Sequence, residues 1–129
     1  MERPPERRFF VLFTRYWLPV LLYVTMVIAI SAQPYLVVPG DFRYGDKIAH
    51  IGEYFGLGVL IARALRATMR IPLPLAAALI ALSLGIVVGT GDEYLQSFVP
   101  GRQSSALDLL ADTIGLTLAQ LVYLAFTRE

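Results

Sequence analysis

The chain has 129 residues and a net charge of +1; 57% of its residues are hydrophobic, only 16% are charged, and the mean hydropathy is +0.62. A soluble domain carries roughly 25% charged residues, and here the apolar residues fall into long blocks rather than at strand or surface-helix spacing, which excludes an ordinary soluble fold. The absence of cysteine excludes a disulfide framework and thiolate chemistry.

Met1 to Arg15 is read as a basic N-terminal segment, with Arg3, Arg7 and Arg8 serving as a topology signal and a weak contact with anionic lipid rather than with nucleic acid. The remainder, 16–129, is one transmembrane domain. Its first apolar block, Tyr16 to Val38, has the roughly 20-residue length that crosses a bilayer. Pro19 is placed at its start, where the missing amide hydrogen is harmless, and Tyr16 and Trp17 read as interfacial anchors. Ser31-Ala32-Gln33 lies too late for signal cleavage and precedes a proline, so the span is expected to be retained.

Turn chemistry follows at Gln33-Pro34 and Pro39-Gly40. The second span, Asp46 to Leu65, carries His50 and Glu53 within its first two turns. Ile71-Pro72-Leu73-Pro74 then opens a third span ending at Tyr94, and Val99-Pro100-Gly101 precedes a fourth, Leu107 to Phe126. Tyr94 and Phe98 read as anchors at the outer boundary.

Lys and Arg in short loops are held in the cytoplasm. Arg3, Arg7, Arg8, Arg15, Arg63, Arg66, Arg70 and Arg128 fall on one side, against Arg43, Lys47 and Arg102 on the other. The expected fold is therefore an all-α integral membrane four-helix bundle with both termini in the cytoplasm.

This topology brings three polar segments to one face: Asp46, Lys47, His50 and Glu53; Asp92, Glu93 and Gln96; Arg102, Ser105, Asp108 and Asp112. Charges at membrane depth cost on the order of 3 kcal/mol each, so such a cluster is a candidate polar pocket whose members are one another's partners. Asp46, His50 and Glu53 share a helical face. So do Gly85, Gly89, Asp92 and Gln96, and likewise Asp108, Asp112, Gly115 and Ala119; the small residues let backbones approach. An Arg102 fork bridging two carboxylates is the leading expected pairing.

His50 reads equally as a proton carrier or base and as a structural histidine bonded to Glu53, Asp92 or Asp108. Ser104 or Ser105 is expected to cap the fourth span, with Arg102 left for a phosphate or carboxylate ligand. A metal on His50 with Asp46, Glu53, Asp92, Glu93 or Asp108 is the lesser reading. One histidine and no cysteine serve zinc poorly, and such a set suits magnesium, calcium or manganese better, so no metal or cofactor is assigned. No glycine phosphate loop, dinucleotide fingerprint or Ser-His-Asp spacing is present.

Asp46-Lys47-Ile48-Ala49-His50 with Tyr54, then Gly91-Asp92-Glu93-Tyr94-Leu95-Gln96-Ser97-Phe98-Val99-Pro100-Gly101-Arg102, then Ser105, Asp108 and Gly115, resemble the VanZ-like family of small bacterial membrane proteins. The resemblance runs from about Asp46 through Gly115, with Asp112 where the family usually has asparagine. That added carboxyl group is expected to be protonated or to pair with Arg102 or Lys47. The resemblance implies a multi-pass protein of the bacterial cytoplasmic membrane, similar to an accessory factor for resistance to the glycopeptide teicoplanin.

Three functions follow as expectations. The first is a cell-envelope binding or modulator protein whose outward pocket engages membrane lipids through an anionic lipid or glycolipid head group. The second is an enzyme acting on a lipid-linked phosphate with His50 or a carboxylate as base. The third is a small transporter with His50, Glu53 and Asp112 as relay groups, for which a homo-oligomer would be needed.

Overall fold

The computed structural model describes residues 5–34, 44–69, 71 and 74–126. Four helices, α1 (Pro5–Ser31), α2 (Gly45–Thr68), α3 (Pro74–Gln96) and α4 (Ala106–Phe126), are each long and apolar enough to cross a membrane, and no strand occurs among the described residues. At a rise of about 1.5 Å per residue, the 24 residues of α2 span roughly 36 Å, against about 30 Å of bilayer hydrocarbon.

Spans two to four start and stop within a few residues of their proline and glycine signals, but α1 does not begin at Tyr16. It is helical from Pro5, so Pro19 lies well inside it. A proline there would drive its ring into the carbonyl four residues back, that of Arg15. The helix widens to a π turn over Phe13–Trp17, where the Leu18 N–H donates to the Phe13 carbonyl, which accommodates the proline without ending the helix. The segment 35–43, with Val38, Pro39-Gly40 and Arg43, lies outside the described residues, as do Arg3, Arg70, Pro72, Leu73 and Arg128.

The core is a column of Leu57, Ile61, Leu65 and Leu116 with Val27 and Ala81, all at most 2% exposed. Large apolar side chains such as Leu22, Val87, Leu121 and Phe126 point outward, an arrangement that suits lipid and not water. Close approach of α2 and α4 depends on small residues. At Gly115, a Cβ would collide with the Ile51 carbonyl oxygen, and at Gly58 it would lie 2.7 Å from the Ala119 Cβ. Gln120, buried between these helices, donates its side-chain amide to the Gly58 carbonyl at 3.1 Å.

Helix α1 is pinned to the others by polar contacts at three depths. The Trp17 indole N–H donates to Thr68 Oγ1 at 3.1 Å, so this ring is fixed inside the bundle as well as lying at its boundary. The Tyr23 hydroxyl donates to the Glu53 carbonyl at 2.8 Å, in space that a side chain at Gly56 would fill. Ser31 reaches Asp92 at the far end. Arginines mark the near end: Arg63 and Arg15 both lie over Tyr16, and Arg66 over Tyr123.

Candidate functional site

The end of the bundle opposite these arginines is built from the last residue of α1, the first turns of α2 and α4 and the last turns of α3. Helix spacing fixes what meets there. Lys47 and His50 are three residues apart on α2, Asp108 and Asp112 four apart on α4, and the two pairs face each other in order of depth. The Lys47 ammonium bridges Asp108 and Asp46, the latter at 2.6 Å. About one turn deeper, His50 Nδ1 lies 2.7 Å from Asp112 Oδ1, and its Nε2 is 3.9 Å from Asp108.

From α3, Asp92 Oδ2 accepts from the Ser31 hydroxyl at 2.9 Å and from the Gln96 amide at 3.3 Å. Glu93 Oε2 accepts the Ser105 backbone N–H at 2.9 Å, so the carboxylate holds the entry to α4. Ser105 Oγ in turn accepts the Leu107 N–H at 3.1 Å, which makes Ser105, rather than Ser104, the cap of this helix.

Arg102 does not bridge two carboxylates, contrary to the leading sequence expectation. The Val99-Pro100-Gly101-Arg102 turn closes with an Arg102 N–H bond to the Val99 carbonyl at 3.1 Å, with Gly101 at φ 78°. Proline second and a positive-φ glycine third are the residues of a type II turn. The turn directs Arg102 toward α1, where its Nε donates to the Ser31 carbonyl at 3.2 Å. The cation between carboxylates is Lys47, and Asp112 pairs with His50 rather than with Arg102 or Lys47.

Burial within the cluster is steep. Asp46 is at the rim with 49% of its side chain exposed, while Asp92, Glu93, Gln96, Asp108 and Asp112 are each 6% exposed or less. Glu53 is half-buried, with no side-chain hydrogen bond among the described residues. A cavity of about 550 Å³ opens above the cluster and is lined by every candidate side chain of α2, with Gln96, Arg102, Ser105 and Asp108. Asp92, Glu93 and Asp112 lie behind it.

Two participants were not among the candidates. Ser31 ties Asp92 to Arg102, and its only sequence signal is a hydroxyl at the end of an apolar span. Tyr54, one turn beyond His50, is completely buried beside the carboxylates. Tyr94 and Phe98 are exposed and stack edge to face with centroids 5.2 Å apart, beside the site but outside it.

Motif residues bond across the helices at this end: Lys47 with Asp108, Glu93 with the start of α4, and Arg102 with α1. The chain matches the family described as VanZ/LLP1 over residues 6–127. It belongs to the VanZ/LLP1 family. The match reaches well beyond 46–115 and takes in α1, whose Ser31 completes the polar end of the VanZ bundle. With four spanning helices, this VanZ-family chain is a multi-pass membrane protein. Comparison with curated proteins and with solved structures returns no match.

Proposed function

We propose that the polar end faces the outside of a bacterial cytoplasmic membrane and binds the anionic head group of an envelope lipid or glycolipid, the chain acting as a binding or modulator protein of the cell envelope. The observation that carries this reading is the state of Arg102. It lines the cavity, spends only its Nε on a backbone carbonyl, and has no carboxylate partner among the described residues. Lys47, by contrast, is neutralised by two carboxylates. A guanidinium fork held this way offers its two terminal nitrogens to a phosphate or carboxylate.

An accessory role in teicoplanin resistance is the corresponding family-level expectation. Transport is supported less well, because beyond Tyr54 the axis of the bundle is filled by Leu57, Ile61 and Leu116, with Gln120 the one buried polar side chain there among the described residues. Enzymatic action on a lipid-linked phosphate has one observation in its favour. Asp112 holds His50 through Nδ1, as an orienting carboxylate holds a general base, and His50 borders the cavity.

Native mass spectrometry of the protein extracted with its own lipids tests these readings together. The binding reading predicts a co-purifying anionic lipid whose occupancy falls at least tenfold in Arg102→Ala and persists in His50→Gln at the wild-type level. Unchanged occupancy in Arg102→Ala would refute it. A phosphorylated lipid that accumulates only on His50→Gln would favour the enzyme.

A further inference from the structure

Behind the cavity the balance of charge is unusual. Asp92, Glu93 and Asp112 are 1%, 6% and 0% exposed, yet Lys47 is committed to Asp46 and Asp108, and Arg102 to a carbonyl. Among the described residues, the one ion pair that any of these three carboxyl groups makes is that of Asp112 with His50. Burying an unpaired carboxylate costs several kcal/mol even after relaxation, so the cluster calls for further positive charge.

One ligand atom from each of His50, Glu93 and Asp112 lies within 4.8 Å of the others, close enough to surround a single ion. The hydrogen bonds already described leave part of this set unused. Glu93 Oε1 and Asp112 Oδ2 are buried and have no partner, and neither has Asp92 Oδ1 beside them.

Tyr54 supplies a separate indication. Its side chain is 0% exposed and its hydroxyl, the one polar atom it has, is unpartnered. The ring reaches into the same place: a Cβ on Gly89 would lie 3.1 Å from Asp112 Oδ2 and 3.3 Å from Tyr54 Cε1. The hydroxyl feels the charges of Asp112, Asp92, Glu53 and Glu93 together. Four buried oxygens without partners are thus contributed by α2, α3 and α4 at the polar end of the bundle, and each such group calls for an explanation.

We propose that His50, Glu93 and Asp112 hold one divalent cation of the magnesium or manganese class, in the membrane-embedded end of the bundle and reached through the cavity. Two carboxylates balance the ion's charge, and their oxygens with one imidazole nitrogen form a mixed donor set that suits Mn²⁺ better than the all-sulfur or multi-histidine sets of structural zinc. Asp92 and Tyr54 stand close by to hydrogen-bond waters of the ion's shell, as outer partners of metal ligands do. The proposal does not depend on the head-group reading, since its test contains no lipid ligand.

Mn²⁺ is titrated into chelator-stripped protein in detergent, followed by electron paramagnetic resonance. The expected result is one saturable Mn²⁺ per chain, displaced by excess Mg²⁺, with a nitrogen coupling in the echo-modulation spectrum that disappears in His50→Gln. Affinity should fall at least tenfold in Glu93→Gln and in Asp112→Asn and remain as in wild type in Glu6→Gln, a carboxyl removal at the other end of the bundle. Helicity and elution volume check that the variants fold. Absence of saturable binding in the wild type, the outcome if protons alone neutralise the cluster, would overturn the proposal. So would Mn²⁺ binding that lacks the nitrogen coupling or survives both carboxylate changes in folded protein.

Discussion

Gly115→Val is expected to destabilise the bundle by about 3 kcal/mol, at the upper end of what overpacking costs. The magnitude follows from what a side chain would meet. A Cβ at Gly115 collides with the Ile51 carbonyl oxygen and comes within 3.0 Å of the Phe55 amide nitrogen, so backbone and not a movable side chain blocks it. Relief requires α2 and α4 to move apart, and that would loosen Lys47 from Asp108 and His50 from Asp112 as well. Gly85 is a gentler case because its obstacle is the flexible end of Leu116. At Gly52, with nothing within 4 Å, alanine should change stability by no more than about 1 kcal/mol, in the favourable direction set by helix propensity. Reversible unfolding in mixed detergent measures all three. Gly115→Val as stable as Gly52→Ala would show that the helices do not approach here.

His50→Leu is expected to cost about 3 kcal/mol in chelator-treated protein, because it removes the partner of an aspartate that is 0% exposed. The loss should be recovered in large part by the second change Asp112→Leu, since replacing both members of a buried polar pair by apolar groups removes the unsatisfied group as well as the bond. A double-mutant cycle by the same unfolding assay should give a coupling of about 1–3 kcal/mol. Additive effects of the two changes would mean that His50 and Asp112 do not hold each other.

Much of this architecture can be read from the chain. Spans two to four announce themselves because proline and glycine pairs sit at their ends, and the spacing of Asp108 and Asp112 places both on the face that meets α2. The start of α1 was hidden because Arg7, Arg8 and Arg15 lower hydropathy without opposing helix formation. For the same reason Pro19 read as a terminus, when a π turn lets the helix continue through it.

Pairing within the site was harder to read, for a geometric reason. Periodicity gives the face of a helix but neither its depth nor its rotation against a neighbour. Arg102 has the better fork for carboxylates, yet it sits in a turn whose positive-φ glycine directs it to α1. Lys47 lies one position off the Asp46 and His50 face, which is where a long side chain reaches sideways to α4. The depth match of His50 with Asp112 follows from counting residues from each helix start, Gly45 and Ala106, about 8–9 Å at the usual rise. Ser31 carries no such numerical signal, because a single hydroxyl on an apolar span reads as a lipid-facing or core residue, whereas Tyr54 is a residue of the family resemblance and stands four residues after His50 on the same helical face.

The proposed role at the cell surface requires a polar site that opens to the outside of the cell, and the absence of native cysteine makes this directly measurable. Gln103→Cys places one thiol at the exposed rim of the cavity, and Ala67→Cys places one in an exposed position at the arginine-marked end. A membrane-impermeant maleimide applied to intact cells should label Gln103→Cys at once and Ala67→Cys only after permeabilisation. Labelling in the reverse order would put the cavity on the cytoplasmic side and contradict the proposed role at the cell surface.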